Sequence, residues 1–308
     1  MPPAAGGQAS RAAAGGQASR ASSEYVLTLS CPDRVGIVHA VAAYLHQADC
    51  NVLDSQQFGD RIAGQFFMRV HVESLRPTPT TYRDLYSGLI PVAAEFAMEW
   101  ELHDTAVQPR VLIMVSKAGH CLNDLLYRRA AESLRIDVPL VVGNHPDLAS
   151  LAAAHGVAFE HVPVDPHDPL SAQRAEGRLL DLVSELSIDF VVLARYMRIL
   201  SPELCAKLPG RIINIHHSFL PSFKGARPYH QAHAHGVKLI GATAHYVTAD
   251  LDEGPIIEQE VARVDHTSSP ADLAAIGRDA ERVALARAVR WHAEHRVLLH
   301  GRRTVIFR

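Results

Sequence analysis

Three residues have the types and the spacing needed for chemistry at a carbonyl group: Asn214, His216 and Asp252. Asn214 and His216 lie in residues 211–216, where three isoleucines predict a short buried strand. Because side chains alternate faces along a strand, the amide and the imidazole point the same way. Asp252 lies in the loop 248–254 between two further predicted strands, and a turn at the end of that loop can bring it back towards His216.

These three side chains suit attack on a carbonyl carbon. An amide can donate to a developing oxyanion, an imidazole can move a proton, and a carboxylate can orient the imidazole or a water. Taken without Asp252, the pair Asn214 and His216 is equally compatible with a hydrogen-bonded core asparagine and a surface histidine.

The second part of the chain, residues 110–308, supplies the elements that must position these side chains. Segments rich in Val, Ile and Leu predict its strands, at 110–115, 138–142, 158–162, 189–194 and 211–216. Helical periodicity separates these strands, and a long helix is predicted near 270–294. This alternation predicts a doubly wound, Rossmann-like α/β sheet, whose ligands bind at the carboxyl ends of its strands.

The first part of the chain has a different organisation. Residues 1–23 contain an imperfect Ala/Gly/Ser repeat without acidic residues, and we expect a disordered tail. Arginines among small residues and serines are also typical of import presequences. This segment has no amphipathic apolar face, so we favour the disordered tail. Residues 24–103 show the order βαββαβ, which predicts a ferredoxin-like domain, and residues 104–109 are the predicted linker.

Composition excludes several classes of function. The 308 residues carry 30 basic and 33 acidic side chains, a net charge of −3, so no basic field for nucleic acid is expected. No apolar run approaches the roughly 18 residues of a transmembrane helix, and we expect no membrane partner. The four cysteines lie far apart, without metal or redox spacing, which favours reduced thiols in the cytoplasm.

A metal hydrolase is the competing kind of enzyme. The chain has 19 histidines, and His230, His233 and His235 have the short spacing that can hold zinc. A His-Glu-x-x-His motif is absent, because His292-Ala-Glu-His295 lacks the i,i+4 histidine pair. We therefore predict that no metal is required.

Two longer motifs extend the short pattern. The run Asn-Ile-His-His-Ser-Phe-Leu-Pro-Ser-Phe-Lys-Gly, 214–225, and the run Leu-Asp-Glu-Gly-Pro-Ile-Ile, 251–257, resemble the formyltransferase family that uses 10-formyltetrahydrofolate. The resemblance extends from about Arg110 to the last residue. It implies that Asn214, His216 and Asp252 are catalytic.

The same resemblance implies a binding site for the folate, which is a substrate here, so no cofactor is expected. The segment after the fourth strand of this domain would receive the pterin ring, largely through its main chain, and Lys224 would meet the glutamyl tail. Exposed surface charge is the alternative explanation of Lys224. The residues predicted to bind the folate are Met197, Arg198, Ile199, Leu200, Lys224, Asp250 and Gly254.

The N-terminal run Cys-Pro-Asp-Arg-Val-Gly-Ile, 31–37, together with Asn51, resembles the ACT module. That resemblance implies a small amino acid bound at the first turn of the helix, whose free amides can meet a carboxylate. The implied effector residues are Asp33, Arg34, Gly36 and Asn51. The alternative is that Asp33 caps the helix and Gly36 relieves a turn. ACT modules often bind between two copies, which implies a homo-oligomer.

The loop after the strand 110–115 indicates which branch of the family is present. A phosphorylated acceptor needs a glycine-rich cradle, but this loop, 116–122, keeps one glycine and carries His120, Cys121 and Leu122. The pattern Gly-His-Cys-Leu-Asn-Asp-Leu-Leu-Tyr, 119–127, behind an ACT module resembles the formyltetrahydrofolate deformylases, in which water replaces the amine. His120 is then expected to line the former acceptor pocket.

The predicted function is hydrolysis of 10-formyltetrahydrofolate to formate and tetrahydrofolate, which would supply formate to one-carbon and purine metabolism. Two alternatives stay open at this point. One is formyl transfer to an amine acceptor, and the other is a non-catalytic amino-acid sensor.

Overall fold

The computed structural model describes residues 23–75, 82–165, 167–218 and 228–308. Nearly all of the predicted tail, residues 1–22, lies outside the described residues, as does Lys224. The described chain forms two units, each built on its own sheet, with a short hairpin after the second.

The first unit is a four-stranded antiparallel sheet with two helices on one face. Its elements are β1 (Glu24–Pro32), α1 (Ile37–Gln47), β2 (Cys50–Asp60), β3 (Gln65–Ser74), α2 (Tyr82–Phe96) and β4 (Glu99–Asp104). The strand order is β2-β3-β1-β4, so β2 and β4 form the edges. Alternate residues of β1, including Leu27 and Leu29, pack against α1 and α2 in one core. The predicted ferredoxin-like order βαββαβ is confirmed.

The second unit is a seven-stranded sheet between layers of helices. Its elements are β5 (Arg110–Val115), α3 (His120–Ala130), β6 (Asp137–Gly143), α4 (Ala149–Ala154), β7 (Ala158–His161), α5 (Ser171–Glu185), β8 (Phe190–Leu193), α6 (Pro202–Lys207), β9 (Ile212–His216), α7 (Pro228–Ala234), β10 (Leu239–Tyr246), β11 (Ile256–Arg263) and α8 (Pro270–Ala293). The hairpin of β12 (Val297–His300) and β13 (Arg303–Ile306) follows.

The order of strands in this sheet is β11-β10-β9-β8-β5-β6-β7. Strands β5 to β9 pair in parallel, whereas β10 and β11 add an antiparallel edge that the sequence did not predict. The chain moves outward from β5 to β7 and then returns to the other side of β5 with β8. The switch point of the doubly wound sheet therefore lies between β5 and β8, where a ligand crevice is expected.

Helix α8 joins the two units. Ser269 and Asp272 form a capping box at its start, and a row of small residues including Ala280, Ala284 and Ala288 lets it pack closely on the sheet. Its carboxyl end meets Arg69 of β3, which is 3% exposed. Arg69 Nε donates to the carbonyl oxygen of His295 at 3.2 Å, and Nη2 donates to that of Glu294 at 3.1 Å.

The hairpin also contacts the first unit. His300 Nε2 lies 3.0 Å from Asp60 Oδ2, and the His300 ring packs edge-on against Phe67. The face of the first sheet opposite its helices is therefore covered by the end of α8 and by the hairpin. Within the described residues, no helix combines the length and apolar character needed to cross a membrane.

Candidate functional site

Asn214 and His216 lie on β9 with their side chains on the same face. Ile213 and Ile215 point to the other face and are buried, as the alternation predicted. Asn214 stands directly opposite His245 of the antiparallel neighbour β10. The polar pair thus lies at the carboxyl end of a parallel strand, where the two kinds of strand pairing meet.

Asp252 reaches this pair because of the turn between β10 and β11. Its backbone is left-handed, with φ of 56°, and Gly254 lies so close to β10 that an added Cβ would be 1.7 Å from the Tyr246 carbonyl oxygen. His216 Nδ1 lies 3.3 Å from Asp252 Oδ2. This hydrogen bond from His216 lowers the pKa of the Asp252 carboxyl, although partial burial acts to raise it.

A fourth side chain, His245, belongs to the same group, and the sequence analysis missed it. It is 2% exposed, and burial lowers its pKa. Nδ1 donates to the Tyr246 carbonyl oxygen at 2.9 Å, so the neutral ring has a free acceptor at Nε2. Asn214 Nδ2 lies 3.2 Å from that acceptor and donates to it. One amide hydrogen is thereby fixed and the second stays available.

A cavity of about 260 Å³ opens beside these residues. The predicted catalytic residues and His217 form one wall, and the segments Arg195–Leu200 and Val247–Asp252 form the others. Five of the seven residues predicted to bind the folate line this cavity: Met197, Arg198, Ile199, Leu200 and Asp250.

The remaining two predictions have different outcomes. Lys224 lies outside the described residues. Gly254 is buried under the Tyr246 backbone and does not line the cavity, so its assignment as a binding residue stays a prediction. Its role is to close the turn that carries Asp252.

The main-chain amide of Met197 donates a hydrogen bond to Ser116 Oγ at 2.9 Å, so this amide is not a free donor for the folate.

A second polar group lies behind the cavity, built around Glu281 of α8. Glu281 is 1% exposed. His120 Nε2 is 2.7 Å and Arg195 Nε is 3.4 Å from its Oε2, and the Tyr229 hydroxyl donates to its Oε1 at 3.2 Å. Burial acts to raise the pKa of Glu281, but the hydrogen bond from His120 and the charge of Arg195 outweigh it and lower the pKa. Glu281 is therefore ionised at neutral pH.

His217 lies between the two polar groups. Its ring stacks on His216 with centroids 4.9 Å apart. Burial and the positive charge of Arg195 lower the pKa of His217 to about 4, so this imidazole is neutral under physiological conditions.

The one cluster in the described residues with metal-ligand geometry is His120, Cys121 and Glu281. The Arg195 guanidinium beside Glu281 disfavours a cation there, and burial raises the pKa of the Cys121 thiol far above its usual value. His230 and His233, with His235, do not form such a cluster in the part of the chain that the structure describes. None of the four cysteines forms a disulfide.

The predicted effector residues lie at two separate places. Gly36 has φ of 102° at the start of α1, so a residue with a side chain would be strained there. Asp33 is exposed in the same turn. The Arg34 guanidinium donates to the Glu95 carbonyl oxygen and lies 4.3 Å from the Phe96 ring centroid, which holds the turn against α2.

Asn51 does not lie at this turn within one chain. Asn51 pairs with Glu73 of β3, whereas Pro32, next to the turn, pairs with Gln65. Eight residues of β3 separate these positions, about 26 Å at roughly 3.3 Å per residue. The two halves of the predicted site therefore lie at opposite ends of the sheet.

Comparison with known proteins agrees with this architecture. The "Formyl transferase" family matches residues 109–289, and the "ACT domain" family matches residues 25–86. A formyltetrahydrofolate deformylase of Corynebacterium sp. (strain P-1) is 50% identical over 284 residues, which cover 92% of this chain and 98% of that protein.

Solved structures give the same result. The crystal structure of formyltetrahydrofolate deformylase from Burkholderia mallei is 50% identical, with a TM-score of 0.87, covering 93% of this chain and 100% of that one. Glycinamide ribonucleotide transformylase 1 from Symbiobacterium toebii is 30% identical, with a TM-score of 0.61, covering 68% of this chain and 98% of that one. The second unit is thus shared with amine formyltransferases, whereas both units together match the deformylases, and the chain belongs to the formyltetrahydrofolate deformylase family of enzymes.

Proposed function

We propose that this protein hydrolyses 10-formyltetrahydrofolate to formate and tetrahydrofolate, with Asn214, His216 and Asp252 as its catalytic residues. The observation that carries the proposal is that the three side chains line one cavity and are joined through His245. His216 Nδ1 is 3.3 Å from Asp252 Oδ2, Asn214 Nδ2 is 3.2 Å from His245 Nε2, and that nitrogen is 3.7 Å from Asp252 Oδ1.

In the proposed reaction, water attacks the formyl carbon on N10 of the folate. The Asp252 carboxylate, ionised because His216 lowers its pKa, orients the water and accepts its proton. Asn214 and His216 donate to the oxyanion that develops on the formyl oxygen. The C–N10 bond then breaks as His216 delivers a proton to N10, and His216 recovers through Nδ1 the proton that Asp252 took from water. Formic acid leaves as formate after losing its proton.

The folate occupies the cavity between the segments Arg195–Leu200 and Val247–Asp252 in this proposal. Met197 and Ile199 are 59% and 73% exposed, so their apolar side chains offer contact surface to a flat ring. Lys224 remains the predicted partner of the glutamyl tail. No metal or cofactor takes part, since the three side chains supply the donors and the base.

The formate released would feed one-carbon and purine metabolism. The absence of disulfides among the four cysteines fits the reducing cytoplasm, where we place the enzyme.

One assay tests this function. Purified protein is incubated with 10-formyltetrahydrofolate in the absence of any amine, with and without EDTA, and formate and tetrahydrofolate are measured. We expect equal amounts of both products and no effect of EDTA. Formate release that depends strictly on glycinamide ribonucleotide would assign the chain to the transferases, and loss of turnover on removing a stoichiometric zinc would assign it to the metal hydrolases.

We further propose that the ACT domain binds a small amino acid between two copies of the chain. Strand β2 is an 11-residue edge strand with Val52, Leu53 and Phe58 43–46% exposed. Antiparallel pairing with β2 of a second copy, centred on Ser55, places Asn51 of the partner subunit opposite Gly59. Gly59 lies beside Asp33, since a Cβ added there would be 3.4 Å from Asp33 Oδ2. A second copy would thereby reunite the two halves of the effector site.

The effector proposal is tested by screening amino acids for their effect on formate release. Binding should change activity through a coupling free energy of about 1–3 kcal/mol. Gly36→Val should abolish the response, because a β-branched residue cannot take φ of 102° without strain. Gly156→Val is the matched control: Gly156 also has positive φ, 68°, but lies in open space in the second unit.

The oligomeric state of the protein is measured together with the amino-acid screen. Light scattering should give a dimer or a larger assembly for the wild type. A monomer, an absence of binding to any amino acid, or binding that survives Gly36→Val unchanged in a folded protein would each contradict the proposal.

A further inference from the structure

The crevice at the switch point has an open part and a filled part. Strands β5, β8 and β9 point their carboxyl ends into it and lead directly to His120, Arg195 and His217. The open part is the cavity beside His216. The filled part holds the Glu281 cluster, which we define as Glu281, His120, Arg195 and Tyr229.

The four residues of the Glu281 cluster come from four separate segments of the chain. Their packing depends on the close approach of Tyr229 to helix α8. Gly277 lies one turn before Glu281 on α8, and a Cβ added there would be 1.9 Å from the Tyr229 hydroxyl oxygen. The absence of a side chain at Gly277 lets the Tyr229 ring lie against the helix and reach Glu281.

Arg195 occupies a backbone conformation that suits glycine. Its φ is 63°, which disfavours any residue with a Cβ. Its Nε and Nη1 atoms are buried, and no described residue forms a hydrogen bond with either atom. The guanidinium is held by the charge of Glu281 at 3.4 Å and also lines the cavity. The arginine side chain therefore fills this part of the crevice at a conformational cost that glycine would avoid.

The charge of Arg195 acts on any amine that approaches from this side. It already disfavours protonation of His217, and it disfavours an ammonium group in the same way. The bulk of Arg195 and His120 leaves water as the nucleophile small enough to reach the reacting carbon from the open part.

We propose that the Glu281 cluster closes the acceptor side of the crevice, so that water rather than an amine attacks the formyl group. This inference rests on the proposed hydrolysis and assigns Arg195 and His120 as residues that determine its specificity. When an amine does enter, its nitrogen bonds to the formyl carbon, the C–N10 bond breaks, and the proton lost by the amine goes to N10.

The test is a competition between nucleophiles. Wild type and Arg195→Gly are incubated with 10-formyltetrahydrofolate and either hydroxylamine or glycinamide, and formate and the formylated amine are both measured against a blank without enzyme. Glycine fits φ of 63° without strain, so the change removes the side chain and keeps the backbone. We expect the ratio of formylated amine to formate to rise by about 10- to 200-fold, the usual range for one altered pocket contact.

Matched variants make every outcome decisive. Ser187→Gly, an exposed residue with φ of 50°, controls for the backbone change and should keep the wild-type ratio. His120→Ala opens the crevice from its other wall, should shift the ratio in the same direction, and replaces Arg195→Gly if melting shows that protein unfolded.

The possible outcomes distinguish a failure of this inference from a failure of the proposed hydrolysis. Formate release by wild type, with unchanged ratios in both opening variants, overturns the inference and leaves hydrolysis standing. Folded variants that lose both products also overturn it, because the cluster would then support the catalytic residues. Absence of formate from wild type without an amine would overturn the proposed function itself.

Discussion

The catalytic crevice and the turn at the start of α1 carry functional residues in opposite ways. In the crevice, side chains from β9, β10 and the following turn meet one another within 3.7 Å. At the ACT turn, the residues are exposed, Gly36 contributes only its backbone, and Asn51 stands at the far end of the sheet. The described residues of the crevice come together within one chain, whereas the effector site that we propose takes Asn51 from a second copy.

This difference follows from topology. Asp252 follows β10, which runs antiparallel to β9, and the turn closed at Gly254 folds it back against His216, so the two motifs converge within a single chain. In the ACT sheet, β1 and β2 both pair antiparallel with β3 and therefore run in the same direction; the turn follows the end of β1 and Asn51 lies at the start of β2, so the two lie at opposite ends. In the dimer that we propose, a second copy paired along the edge strand β2 brings them to one place.

The largest expected effect comes from breaking the crevice while leaving the ACT turn intact. Asp252→Asn keeps the side-chain shape and, because Asn tolerates left-handed backbone, the turn. Without the charge, turnover should fall by about 100-fold or more while folate binding is largely kept. Steady-state formate release and equilibrium binding measure the two effects.

Glu253→Gln is the control for Asp252→Asn. It neutralises the adjacent carboxylate of the same turn, which contacts Arg302 outside the cavity, and should keep turnover near wild type. Near wild-type turnover in Asp252→Asn would show that Asp252 only shapes the turn.

The next largest effect tests whether His245 positions Asn214 or contacts the substrate itself. His245→Leu removes the acceptor that fixes Asn214, and we expect turnover to fall by about 10- to 100-fold with KM little changed, as small misplacements in an active site do. His230→Leu, at an exposed histidine of α7, is the matched control. A larger change in KM than in turnover would contradict a positioning role.

Individual residues show how much of the two candidate sites could be predicted from the sequence. The proximity of Asn214, His216 and Asp252 was predictable because the first two share a strand face and the loop 248–254 was expected to turn Asp252 back towards His216. His245 was not, since a histidine inside an apolar strand has the same pattern as any core residue. Glu281 was missed because a glutamate within a helix normally faces solvent, and only tertiary packing buries it. The distance between Asn51 and the turn was not predictable, because a motif does not reveal which chain supplies each residue.

The domain interface adds a pH dependence to the comparison. Burial lowers the pKa of His292 to about 4, and burial together with His103 lowers that of His295 to about 3. Both are neutral in the folded and unfolded states above pH 6.5. Below it, the unfolded state binds protons that the folded state does not, so the free energy of unfolding falls as the pH falls from 6.5 towards 4.

We expect a loss of about 2 kcal/mol from each histidine, about 4 kcal/mol together, by pH 5, measured by denaturant unfolding. His295→Asn, which tolerates φ of 53°, should flatten this slope, and the exposed His39→Asn should not. A slope that is identical in all three proteins would show that neither buried histidine governs it.

The smallest expected effect tests whether helix α8 couples the ACT domain to the catalytic crevice. Arg69→Met removes the cation that caps α8, and the free energy of unfolding should fall by about 1–2 kcal/mol. Because α8 also carries Glu281, the same change should weaken any response to an amino acid. Arg83→Met, an exposed arginine of α2, is the control. Full stability and a full response in Arg69→Met would show that α8 does not couple the two units.

The most direct test of the central claim follows the oxygen atom. Wild-type protein is given 10-formyltetrahydrofolate in ¹⁸O-labelled water without any amine, and the formate is analysed by mass spectrometry after a single turnover. If water attacks the formyl carbon beside Asn214, His216 and Asp252, each formate carries one labelled oxygen and Asp252→Asn releases almost none in the same time. Unlabelled formate, or an undiminished yield from Asp252→Asn, would contradict the account.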